Sequence, residues 1–181
     1  MRFISDFREL NKRLRRKPHP ILKIQDPLLK LEGFTCATAL DLNVGHYCIE
    51  LTPSSKSLCT ITLLFGKYKY QRLPVGLSSG MDIFQEKMLE MFQDLENVQA
   101  HTDDLLVASS GSHEDHLLKL SKVLKRLRHA GLKVNAKKSH FCQEQVECLG
   151  HLISRKGIQP LPGKIEAIVD IAIPQTRKQS R

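Results

Sequence analysis

No run of apolar residues in this chain approaches the roughly 20 needed to span a bilayer. The N-terminus also lacks the apolar core of a secretory signal. The expectation is an intracellular protein, cytoplasmic or nuclear, with no membrane partner. Disulfide scaffolding is missing as well. The five cysteines are an odd number with no Cys-x-x-Cys pair, so a secreted disulfide framework is excluded and reduced thiols are expected. His140-x-Cys142 followed by Cys148-x-x-His151 offers four ligand-type side chains, but that spacing fits no common zinc pattern. Residues 146 to 153 read better as a strand. Negative charge is in short supply: 19 Asp and Glu stand against 28 Lys and Arg, a net +9. Such a surplus favours a polyanionic partner, nucleic acid first, and part of it sits in the run Lys12-Arg13-Leu14-Arg15-Arg16-Lys17. There is no internal repeat and no low-complexity tract.

What is present suits one globular unit: 181 residues with 41% apolar content. Its most informative stretch is Val98-Gln99-Ala100-His101-Thr102-Asp103-Asp104-Leu105-Leu106-Val107, two aspartates between two strand-like apolar runs. A third carboxylate, Asp41, lies inside the strand-like run from Cys36 to Leu42. Aspartate is depleted in strands because its short side chain competes for backbone hydrogen bonds, so Asp41 asks for a reason. Ligation of magnesium, a hard cation held by carboxylates and substrate phosphates, is one; for the Asp103-Asp104 pair alone, a simple turn is the other.

Two helices are predicted. One follows Ser79-Gly80-Met81-Asp82, a capping-box pattern, with Met81, Phe84, Met88, Met91 and Leu95 on one face. The other begins near Ser112, turns Leu117, Leu120, Leu124 and Leu127 inward, and stops at Gly131. Strands are expected at 36–42, 46–51, 58–64, 68–73, 97–101, 104–109 and 146–153. Together they define an α+β fold, an antiparallel sheet with helices on one face.

Six motifs occur in a fixed order. They are the segment from Arg2 to Lys12, Leu40-Asp41-Leu42, Leu73-Pro74-Val75-Gly76-Leu77, Phe84-Gln85, Asp103-Asp104, and Leu149-Gly150-His151. In that order and spacing the chain resembles a reverse transcriptase, an RNA-directed DNA polymerase, of a Gypsy-class long-terminal-repeat retrotransposon. The resemblance implies a right-hand polymerase palm with partial fingers. The reverse transcriptase domain is expected at 1–158, with fingers at 1–17 and 49–79 and palm at 18–48 and 80–158. A truncated start of the thumb or connection is expected at 159–181. The chain opens directly on Arg2-Phe3-Ile4 and closes at Arg181, so a fragment without upstream fingers or most of the thumb is expected.

The resemblance also implies chemistry. Asp41, Asp103 and Asp104 match the catalytic carboxylates that hold two Mg2+ ions, with Mn2+ as a substitute. The partners implied are an RNA or DNA template-primer and deoxynucleoside triphosphates. Arg2, the Val44 and Gly45 backbone, His46 and Val75 match nucleotide-binding positions. Pro74, Gly76, His101, Leu149, Gly150 and His151 match template and primer contacts.

Three residues depart from the pattern: His101 replaces the family's tyrosine before the aspartate pair, His46 replaces an aromatic gate, and Met81 stands where a proline is usual. On alternating strand faces Tyr47 would not substitute for His46. These departures read as sequence decay. The second reading is therefore a catalytically inactive nucleic-acid-binding remnant. A third, a palm enzyme making cyclic nucleotides, lacks its Gly-Gly-Asp/Glu-Glu-Phe signature.

Overall fold

The computed structural model describes residues 4–17, 33–43, 45–155 and 157–170. Arg2 and Val44 lie outside the described residues, as do 18–32 and the tail from 171. In chain order the elements are α1 (Arg8–Arg13), β1 (Cys36–Asn43), a 3-10 turn (Gly45–Cys48), α2 (Pro53–Leu58), β2 (Thr60–Leu63), β3 (Gly66–Lys69), α3 (Gly80–Phe92), β4 (Val98–His101), β5 (Asp104–Ser109) and α4 (His113–His129). Then follow β6 (Lys133–Val134), β7 (His140–Gln143), β8 (Gln145–Cys148), β9 (His151–Ser154), β10 (Gly157–Pro160) and α5 (Pro162–Val169).

The main sheet runs β4-β5-β1, with β6 and β7 both pairing the far side of β1. Pairing is antiparallel throughout, Cys36 to Asp41 lying opposite Ser109 to Asp104. Alternation splits this sheet into two faces. Leu40, Leu42, Leu105 and Val107 pack under α3 and α4 with Phe84, Met88, Val123 and Leu127. On the reverse face Ala37, Leu106 and Ala108 meet Val146, Cys148 and Ile153 of the small sheet β10-β9-β8. Leu105, Leu106 and Val107 are all nearly fully buried, each such side chain contributing about 1.5–3 kcal/mol. The helices do cover one face of an antiparallel sheet, as expected.

Several local expectations are corrected. Residues 46–51 form no strand: the 3-10 turn Gly45–Cys48 takes their place, and Glu50 only bridges Arg72. A side chain on Gly45 would collide with the Phe84 ring, so this glycine lets the turn sit on α3. The strand expected at 68–73 is displaced to β3, paired with β2. The strand expected at 146–153 is a hairpin, broken where Leu149 and Gly150 adopt φ of 52° and 73°.

Ser79 precedes α3 but makes no side-chain cap hydrogen bond. The buried Asp82 instead takes a bidentate grip from Arg16, at 2.6 and 3.0 Å. Met81 is exposed, and the buried face carries Phe84, Gln85, Met88 and Phe92. In α4 the inward positions are His116, Leu120, Val123 and Leu127, whereas Leu117 and Leu124 are exposed. Gly131 does close α4 with φ of 71°. Among the described residues no helix is long and apolar enough to cross a membrane.

Candidate active site

The site follows from register. Because Asp41 pairs with Asp104, and His101 pairs with Asp104 across the next ladder, all three residues meet at one end of the sheet. Thr102 and Asp103 form the two-residue turn between β4 and β5. Thr102 takes φ of 51°, uncommon for a residue with a side chain. Gln85 of α3 holds it there: its amide donates to the Ala100 carbonyl at 2.9 Å, and its oxygen accepts from the Thr102 N–H at 2.6 Å. The Asp103 carbonyl in turn accepts from the Leu42 N–H at 2.8 Å, tying the turn to β1.

Asp41 is fixed on its other edge. Its carbonyl accepts from the Asn135 N–H at 2.8 Å and its N–H donates to Ser139 Oγ at 3.1 Å. Lys138 Nζ stands 3.8 Å from the Asp41 carboxylate. Asp41 and Asp104 open onto a cavity of about 320 Å³ that Lys138, Glu147, Leu149 and Gly150 also line. Burial pushes the Asp104 carboxyl above the usual carboxylate range, the charge of Asp41 adds to the shift, and His101 opposes it. Oδ1 of Asp103 is buried without a hydrogen-bond partner, and so is Nδ1 of His101.

These donors fit a hard divalent cation. All are carboxylate oxygens, and one of them is buried and unpaired, a costly state that a cation relieves. The like-charge penalty on Asp104 would be relieved as well. A trio of ligand atoms within 4.8 Å of one another occurs among the described residues at Cys36, His113 and Cys142, not at the three aspartates. Sharing an ion therefore requires the aspartate side chains to turn toward one another. The four-residue set His140, Cys142, Cys148 and His151 forms no such group among the described residues either.

Other predicted positions fall elsewhere. The Pro74-Val75-Gly76 loop packs on the N-terminal segment, where Asn11 donates to the Gly76 carbonyl at 2.9 Å and accepts from Ser78 N–H. Gly76 itself takes φ of 108°, with Ser5 and Phe7 against it. His46 is buried and stacked on Phe84 at 4.9 Å, and Tyr47 lines a separate cavity with Arg72 and Gly131. In a 3-10 turn the strand-face argument separating His46 from Tyr47 does not apply. At the hairpin, His151 Nδ1 lies 3.1 Å from the Leu149 carbonyl, and Gly150 gives room for the Lys164 ammonium. Gln85 and Lys138 went unassigned from sequence. A glutamine beside Phe84 on an apolar helix face was the available signal for the first; nothing local marked the second.

An antiparallel sheet backed by two helices, with carboxylates on a central strand and at the adjacent hairpin, is a polymerase palm. The reverse transcriptase (RNA-dependent DNA polymerase) family matches residues 1–153, so the chain belongs to that family. The retrovirus-related Pol polyprotein from transposon 412 of Drosophila melanogaster is 33% identical over 183 residues, covering 99% of this chain and 15% of the polyprotein. The transposon Tf2-3 polyprotein of Schizosaccharomyces pombe is 28% identical, covering 100% of this chain and 14% of its own length.

Among solved structures, the foamy viral protease-reverse transcriptase dRH in complex with double-stranded DNA is similar with a TM-score of 0.87 and 25% identity, over 98% of this chain and 31% of that one. The foamy viral enzyme in complex with an RNA/DNA hybrid gives 0.82 at 25% identity, over 96% and 24%. The chain thus spans only a small part of its relatives. The likeness to Gypsy-class retrotransposon enzymes is borne out, and the family generally uses divalent metals.

Proposed function

We propose that this chain is the fingers-palm portion of a polymerase that extends a primer on an RNA or DNA template. The observation carrying the proposal is the register of Asp41 against Asp104, with Asp103 in the adjoining turn and its Oδ1 unpaired. Fingers are assigned to 1–17 and 49–79, palm to 18–48 and 80–158, and the start of the thumb to 159–181. Asp41, Asp103 and Asp104 would hold two Mg2+ ions, or Mn2+. When bound, such ions lower the pKa of a primer 3′-hydroxyl and neutralise charge on a triphosphate.

The chain's own groups position the reactants. Gln85 fixes the turn that presents Asp103, and the Asn135 and Ser139 contacts fix Asp41. The primer end is assigned to the cavity between the two aspartates and Leu149-Gly150, with His151 and His101 flanking it. Arg2, Val44, Gly45, His46 and Val75 are assigned to the incoming nucleotide, and Pro74 and Gly76 to the template. A net charge of +9 suits a nucleic-acid partner.

Primer extension on an RNA template with Mg2+, comparing the chain with Asp103→Asn, tests this. Incorporation that disappears in the variant is expected. Duplex binding without incorporation by the unmutated chain would refute the polymerase reading and leave a binding remnant.

A further inference from the structure

At the opposite end of β1 from Asp41 lies a second group of ligand-type side chains. Sγ of Cys36, Sγ of Cys142 and an imidazole nitrogen of His113 all lie within 4.8 Å of one another. They come from three places: the first residue of β1, the middle of β7 and the first residue of α4. Both cysteines are free. Cys36 is buried, Cys142 half-buried and His113 exposed.

Cys142 is delivered by an irregularity. Between Ala37 and Ala39 the register against β7 runs from Gln143 to His140, so β7 carries one residue more than β1. A bulge of this kind re-aims a side chain. The backbone of Cys142 takes φ of 49°, unfavourable for a residue with a Cβ. Thr38 holds it, its Oγ1 accepting from the Cys142 N–H at 3.1 Å. Thr38 is itself anchored to the buried His116 at 2.8 Å, and His116 to Ser109 at 2.8 Å. A strained bulge supported by a buried polar chain, with its thiol set beside a second thiol and an imidazole, is more than surface coincidence.

We propose that Cys36, Cys142 and His113 bind one zinc ion, with the fourth position open to solvent. Two thiolates and one imidazole are a soft donor set that selects zinc over magnesium. Tetrahedral ligands ~2.0–2.3 Å from zinc lie roughly 3.3–3.8 Å from one another, so a set already inside 4.8 Å closes on the ion with small side-chain rotations. Cys36 is five residues from Asp41 along β1, roughly 17 Å at the usual strand rise. The ion would clip β1, β7 and α4 together at a distance from the aspartates.

The experiment uses the untagged full chain. Zinc content is measured after dialysis, zinc affinity by competition with a chromophoric chelator, and thiolate-to-metal charge transfer after cobalt substitution. One zinc per chain is expected, with thiolate bands in the cobalt form. Cys142→Ser and His113→Ala should each weaken binding by more than the roughly 10- to 100-fold that loss of an outer partner costs. Cys48→Ser should leave binding unchanged. His113 is exposed, so His113→Ala reports on the ion even if a cysteine variant fails to fold. Substoichiometric zinc, or unchanged affinity in both ligand variants, would overturn the site. So would a metal-free chain lighter by two hydrogens, which would assign the thiols to a disulfide.

Discussion

Replacing Gln85 by methionine tests how the aspartate turn is held. The substitution keeps the volume of a nearly buried side chain and deletes two hydrogen bonds, to the Ala100 carbonyl and from the Thr102 N–H. Each bond is worth a net ~0.5–1.5 kcal/mol, and a stranded buried donor or acceptor costs ~1–3 kcal/mol. The turn is only part-buried, so water recovers some of that cost, and a loss of about 2–4 kcal/mol is expected for the pair. With a urea m-value near 2 kcal/mol/M, the denaturation midpoint should fall by about 1–2 M. Amide exchange at Thr102 should accelerate with it, because its φ of 51° loses the contact that offsets its strain. Gln93→Met, at an exposed position just after the same helix, should stay within about 0.5 kcal/mol of the unmutated chain. A midpoint shift under about 0.3 M for Gln85→Met, with Thr102 exchange unchanged, would refute the reasoning, since it is far below the expected loss.

Three further outcomes are expected. Gly45→Ala drives a methyl into the Phe84 ring and should cost about 1–3 kcal/mol by thermal denaturation, part of which Phe84→Leu should restore. His116 is pushed below the ordinary histidine value of 6.5, chiefly by burial, so it contributes stability above that pH which is lost as pH falls through 6.5 toward the folded value; urea midpoints across this window should drop more steeply for the unmutated chain than for His116→Gln. Asp82→Asn removes the charge that Arg16 grips and should speed tryptic cleavage within Lys12 to Lys17, which limited proteolysis reads directly.

The parts legible in the sequence are those settled by near neighbours. The apolar runs of β1, β4 and β5 sit where they were read, and Asp103-Asp104 does lie at their hairpin. Asp41 facing Asp104 follows once the strands are antiparallel. Where distant partners decide, periodicity misled. Leucine spacing placed Leu117 and Leu124 inward, but His116 takes an inward place because Thr38 and Ser109 satisfy both of its nitrogens. A strand was expected at 46–51, and a tight turn stands there instead, with the Phe84 ring set closely against Gly45. The Asp82 pattern read as a cap, but Arg16, 66 positions away, claimed the carboxylate. Gln85 was visible as a motif, yet its role depends on a hairpin 15 to 17 residues on.

The hydrogen bonding of β1 on both edges bears on which length changes the chain tolerates. The excursion between Glu50 and Arg72 leaves and rejoins the body at one bridge and meets Ser5 and Phe7 through Tyr70, so residues added at its tip, between β2 and β3, lengthen a lobe and leave those contacts in place. One residue gained or lost between Cys36 and Asp41 would slide the strand by one place and put Leu40 or Leu42 where the carboxylate belongs. The displaced aspartate would then face the apolar layer under α3 and α4, where an unpaired charge costs several kcal/mol. Register thus constrains the length of β1, whereas the tip between β2 and β3 pairs with neither of its edges.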